Sequence, residues 1–177
     1  MVAKNITKLI DEAIIPAMFL ILAKMLGLFA VTYFLNLPFE IKAGSFLAVL
    51  PSINYASPTD YTRAENYSNL VMFAIAALGT SLVLVRAHFF HSTHIHPRLH
   101  ARLVALNLES LVSSTYHLYH QAAIWITFLW LTTGFLILST VLGTTYAQIS
   151  IIAFIITANF SWVLAIDVEK EVELSRT

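Results

Sequence analysis

The sequence predicts an all-α, polytopic membrane protein: a four-transmembrane-helix bundle with an amphipathic helix or helical extension on its cytoplasmic side. Three observations carry that fold class. Of 177 residues, 58% are hydrophobic and 11% charged, where soluble domains carry about 25% charged residues. Four segments approach the roughly 20 apolar residues a helix needs to cross hydrocarbon, where a helix satisfies its own backbone hydrogen bonds. Lysines and arginines fall mostly on one side of those segments, as the positive-inside tendency requires. Length and composition place residues 1–177 in a single domain.

The first span is read from about Ile14 to Leu37, with Pro16 in its opening turn, where a missing amide donor costs nothing. Lys4 and Lys8 precede it as in a signal peptide, but the run exceeds the roughly 7–15 apolar residues of a signal core, so the span is expected to be retained. The second span, Asn66 to Val85, contains no Asp, Glu, Lys or Arg. From Ser110 through Ile166 the chain is again without formal charge and too long for one crossing, so it must reverse. The place for that is "GTTYAQ", Gly143 to Gln148, which divides a third span, Ala122–Leu142, from a fourth, Ile149–Ile166. The outer loop, 38–65, is rich in Pro, Ser, Asn and Tyr and reads as irregular. Within it the apolar "AGSFLAVLP" is too short to cross and reads as an interfacial or partly re-entrant piece.

Lys4, Lys8, Arg86, Arg98, Arg102, Lys170 and Arg176 fall on one side of this arrangement, Lys42 and Arg63 on the other. Both termini and the segment 86–121 are therefore expected in the cytoplasm, with a bacterial inner membrane as the default location. Tyr116, Tyr119, Trp125 and Trp162 fall where an aromatic belt on that face would lie. Zero formal net charge leaves no basic surplus for nucleic acid. The absence of cysteine removes disulfides, thiolate metal sites and cysteine nucleophiles. No phosphate-cradling loop, nucleophile elbow or HExxH motif is present.

"HFFHSTHIHPRLH", His88 to His100, holds five of the seven histidines. A helix offers two imidazoles to one metal from positions three or four apart. His88 with His91, His91 with His94, His96 with His100, and His117 with His120 have that spacing. These seven are the candidate ligands of a transition metal, iron or zinc, alongside a bis-histidine haem or a histidine pH switch. The competing reading is a juxtamembrane loop in which histidine is comfortable at headgroup level. Membrane di-iron hydroxylases and desaturases also cluster histidines on such a face, but their boxes contain adjacent histidine pairs and this sequence has none.

Nothing in "RLHARLVALNLESLVSSTYHLYHQAA" is read as breaking a helix. On one wheel Arg102, Glu109, Ser113, His117 and His120 share a polar face, with Leu99, Leu103, Leu106 and Leu111 opposite. The segment is either an amphipathic helix lying in the interface and turning into the third span near "SSTY", or one long helix running straight in, which would carry Glu109, His117 and His120 into the bundle. Glu109, Ser113 and His117 list the parts of a hydrolytic triad, but side chains one turn apart on one helix point in parallel and do not converge on a carbonyl.

Lys24, in "ILAKMLGLF", is the greater anomaly. It lies some 15 Å into its span at about 1.5 Å per residue, where a lysine costs about 2.5–3.5 kcal/mol to insert. The other three spans hold no carboxylate, so its expected neighbours are the hydroxyls of Thr80, Thr132, Thr133 and Thr157, or a group on another chain. Gly27, Ala74, Ala77, Gly79 and Gly134 would permit close helix contact. The functional expectation is a non-catalytic structural or interaction component in the lipid bilayer, as a homo-oligomer or beside a partner membrane subunit. A histidine-ligated metal protein is the first alternative, and a small transporter or channel subunit using Lys24 the second.

Overall fold

A computed structural model describes residues 2–42, 52–90, 95–108, 112 and 114–174; for 2–11, 42, 52, 115 and 174 it describes the backbone alone. Among the described residues the elements run α1 (Val2–Phe34), β1 (Phe39–Lys42), β2 (Ser52–Tyr55), α2 (Pro58–Phe89), α3 (Pro97–Ala105), α4 (Thr115–Val141) and α5 (Ala147–Leu174). Four of these helices, α1, α2, α4 and α5, are long and apolar enough to cross a membrane.

The helices run past the expected spans because an apolar window stops at the first charged residues whereas backbone hydrogen bonding does not. α2 starts at Pro58, not Asn66. Ser57 caps it by accepting from the Thr59 amide at 3.2 Å, Pro58 occupies its first turn and Asp60 lies on its positive end. Part of the supposedly irregular loop is thus helix, and another part is an antiparallel hairpin pairing Phe39 with Tyr55 through Lys42 with Ser52. The stretch 43–51, read as interfacial, lies outside the described residues. Pro16 is not in an opening turn but inside α1, where it cannot donate back to the Glu12 carbonyl.

Three helices end alike. Asn36, Asn107 and Gly143 take φ values of 49°, 59° and 72°. Each is followed by an amide reaching back to the third residue before the helix cap: Leu37 to Thr32 (3.0 Å), Leu108 to Leu103 (2.8 Å) and Thr144 to Ser139 (2.9 Å). This left-handed closure satisfies carbonyls that would otherwise be orphaned, and Gly and Asn enter it most readily. At Gly143 it makes the expected reversal between α4 and α5. At Asn107 it ends α3 at Ala105 and a separate α4 starts at Thr115, so residues 98–121 do not run as one long helix into the third span, and Arg102 shares no wheel with His117 and His120.

α2 lies at the centre, packed most extensively on α4 and α1, while α5 packs on α4. The buried core is small: Leu20 of α1, Met72, Phe73 and Ala76 of α2, Leu129 and Leu136 of α4, and Ala153 of α5. Most large apolar side chains point outward, among them Ile15, Leu26, Leu82 and Val141, each more than half exposed. A surface this apolar suits hydrocarbon rather than water. Between helices, polar groups and small residues then do much of the holding. Thr133 and Thr157 share a buried 2.7 Å hydrogen bond, and Thr140 meets Ser150 at 2.6 Å. Trp125 packs its ring against Gly79, while Gly134 and Ala74 face away from the bundle.

Candidate functional site: a polar pair in an apolar cleft

Lys24 projects from α1 where Gly27, one turn on, lets α2 come close. A Cβ at Gly27 would stand 3.1 Å from Val71 Cβ and 3.2 Å from Ser68 Cα. That approach presents to α1 a face of α2 built at helical spacing from Glu65, Ser68, Asn69 and Met72. Lys24 Nζ donates to Glu65 Oε1 at 2.7 Å and to Asn69 Oδ1 at 2.6 Å, with the Glu65 carbonyl at 3.4 Å. The Asn69 amide in turn reaches Ser139 Oγ of α4 at 3.5 Å.

The threonines expected to receive Lys24 are engaged elsewhere. Thr80 donates to the Ala76 carbonyl, Thr132 to the Leu129 carbonyl, and Thr133 and Thr157 meet each other. The hydroxyl expectation fails because α2 begins eight residues earlier than its apolar window and so brings a carboxylate alongside.

The pair stands in the wall of a cleft of about 630 Å³ between α1, α2 and α4. Leu20, Leu28, Met72, Phe128 and Phe135 supply apolar wall, and Ile41 and Ile53 of the hairpin close one end. The hairpin is held there by Tyr55, whose hydroxyl lies 2.8 Å from Thr32 Oγ1. Ile21 of α1 and Leu131 and Phe135 of α4 form exposed lips, so the cleft opens sideways, toward whatever surrounds the bundle. Ligand sites have this size and character: mostly apolar, with a few placed polar groups. A second cavity, about 680 Å³, lies beside the α4–α5 turn, where Arg63, Asn66, Thr62 and Thr144 share the wall with Leu35, Leu70 and Ile149.

The other end of the bundle receives the histidines but divides them. His117 Nδ1 lies 3.2 Å from Glu12 Oε1 and His120 Nε2 lies 3.4 Å from Glu12 Oε2, so one carboxylate of α1 is held by two imidazoles of α4. His117 Nε2 stands 3.1 Å from the Gln121 amide nitrogen, which makes that ring nitrogen an acceptor and Nδ1 the donor toward Glu12. His120 stacks on Tyr116 with ring centroids 5.9 Å apart. His88, on α2, meets Asp167 of α5 at 3.3 Å, and the Tyr119 hydroxyl donates to the Asp167 carbonyl at 3.3 Å.

His96 caps α3 by accepting from the Arg98 amide, and His100 lies within that helix. His91, His94, Glu109 and Ser113 lie outside the described residues. Among the described residues, no group of three or more His, Asp or Glu is arranged to hold a metal ion.

No family model, curated protein or solved structure matches this chain. The functional reading therefore rests on the geometry. Sequence reasoning missed Glu12, Glu65 and Asp167, all at the margins of apolar runs, where carboxylates pass as solvated flanks. For Glu12 and Asp167 the one legible signal is that each lies at the same end of the chain's hydropathy pattern as the histidine it meets; Glu65, which meets a lysine in mid-span, has no such signal. Glu12→Ala is expected to lower stability by about 1–3 kcal/mol, since it removes the anionic acceptor of both imidazoles. His88→Ala, whose side chain is 52% exposed, should cost less than about 1 kcal/mol. Thermal unfolding in detergent compares the two.

Proposed function

We propose that this protein resides in a bilayer as a four-helix bundle and acts by binding, as a non-catalytic interaction component that holds a lipophilic small molecule between α1, α2 and α4. The observation that carries the reading is the sideways-opening apolar cleft with one polar pair in its wall. A lysine in the middle of an apolar helix is costly to keep, which makes Lys24 and the Glu65 it meets on α2 a functional position by default. Because Glu65 and Asn69 answer Lys24 within the chain, no partner acid is needed to account for it. The exposed apolar surface supports a bilayer setting. Arg86, Arg98, Arg102 and Lys170 gather at the histidine end, which supports a cytoplasmic position for that end.

Ala17 lines the cleft away from the pair. Ala17→Trp would fill the cavity while leaving Lys24 and Glu65 in place. Mass spectrometry of protein extracted in mild detergent is expected to find a lipophilic molecule retained at about one per chain, absent from the variant. Equal retention by both proteins, or by neither, would refute the reading.

A further inference from the structure

We infer that the cleft selects an uncharged amphiphile of the surrounding membrane, one hydrocarbon chain headed by a hydroxyl or amide donor, and that Glu65 receives that donor. The inference rests on the binding reading above and adds the chemistry of the head. Lys24 and Glu65 carry no net charge together, wherever their shared proton lies. A charged head beside them would bring an uncompensated charge into an apolar wall, which is strongly disfavoured. The site is therefore matched to a neutral head.

Which neutral head follows from the hydrogen bonds. The short bonds of the Lys24 ammonium go to Glu65 Oε1 and Asn69 Oδ1, and its remaining direction lies toward the Glu65 carbonyl, so it has little left to donate. Asn69 is 6% exposed and its amide turns away toward Ser139. Glu65 differs. Its side chain is 36% exposed, it lines the cleft, and among the described residues its Oε2 receives no hydrogen bond. A carboxylate oxygen only accepts, so its complement is a donor. An ether or ester head of equal length would leave that oxygen facing hydrocarbon. The tail has its place between Leu20, Leu28 and Phe128, and the lips at Ile21 and Leu131 admit it from the side.

The test uses the whole protein in nanodiscs, with empty nanodiscs as the blank for partitioning. Radiolabelled hexadecanol is bound and then displaced by unlabelled hexadecanol, hexadecyl methyl ether, hexadecyl sulfate or hexadecyltrimethylammonium. Wild type is expected to retain hexadecanol above the blank, with the ether at least about tenfold weaker, as loss of a hydrogen bond to a charged group predicts, and the two permanent ions weaker still. Glu65→Gln leaves Lys24 a net cation, so hexadecyl sulfate should become the preferred competitor. If all four probes compete alike in wild type and Ala17→Trp still abolishes retention, the cleft binds lipophiles but the inference about the head is wrong. If sulfate already wins in wild type, it is likewise wrong. If hexadecanol is retained no better than in the blank, the inference about the head is wrong, and the mass-spectrometric comparison of wild type with Ala17→Trp decides whether the binding reading falls with it. Should Glu65→Gln not fold by circular dichroism, the wild-type order of the four probes decides alone.

Discussion

Glu65→Leu should destabilise the protein by on the order of 3 kcal/mol, about what it costs to place an unanswered lysine in the middle of a span. The substitution leaves Lys24 with Asn69 as its short hydrogen-bond partner and strips it of counter-charge. Because Lys24 remains 22% exposed and Glu65 36%, water screens part of the attraction, and the loss should stay below that of a fully buried pair. Lys24→Leu alone should cost less, since a carboxylate at the margin of the cleft can turn outward. The double variant should return to within about 1 kcal/mol of wild type, because replacing both partners of an ion pair by apolar groups is close to neutral. Unfolding in mixed micelles, read as a double-mutant cycle, measures the coupling. A double variant as unstable as Glu65→Leu would mean that the loss comes from altered packing and not from stranded charge.

The second large effect is expected at Gly79. A Cβ there would overlap the six-membered ring of Trp125, so the ring or the helix that carries it must shift. Gly79→Ala should cost about 1–3 kcal/mol through overpacking, although alanine is the better helix former. Trp125→Leu introduced alongside should recover part of the loss. Gly134 is the control, because nothing stands within 4 Å of a Cβ there. Gly134→Ala should be neutral or slightly stabilising. Melting temperatures of the four proteins in one detergent check the set, and a Gly79→Ala protein that melts with wild type would show that α2 and α4 do not pack as described.

How far the sequence could be read follows from which interactions are local. Four apolar helices and the reversal at Gly143 were legible because hydropathy and a left-handed glycine are properties of a short window. Ser57, Pro58 and Asp60 were a local signal too, that of a helix start. The surrounding Pro, Ser and Asn mask it by reading as a loop, which leaves Glu65 just outside the second span. Asn107 likewise reads as an ordinary residue in a long helical pattern. The site itself was half legible. Lys24 announces itself by its cost of insertion, whereas its partners lie more than 40 positions away and depend on which faces of α1 and α2 meet. Glu12 with His117 and His120 is more distant still, across the whole of α2 and α3. The spacing of seven histidines permits one site, but packing of the helices side by side brings His88 to Asp167 and His117 with His120 to Glu12, while His96 caps α3.

The ammonium of Lys24 meets its counter-charge on α2, the very next long helix of the chain. In the bilayer setting proposed above, this bears on biogenesis. A growing chain that has delivered α1 and α2 to the membrane already holds a hairpin with no net charge at this depth, before α4 or α5 has been synthesised. The lysine need not be sheltered by the insertion machinery until the bundle is complete. Asn69, which faces Lys24 on one side and Ser139 on the other, then offers the arriving α4 a polar contact to seat on. The most expensive residue in the protein thus becomes a reason for its first two helices to enter together.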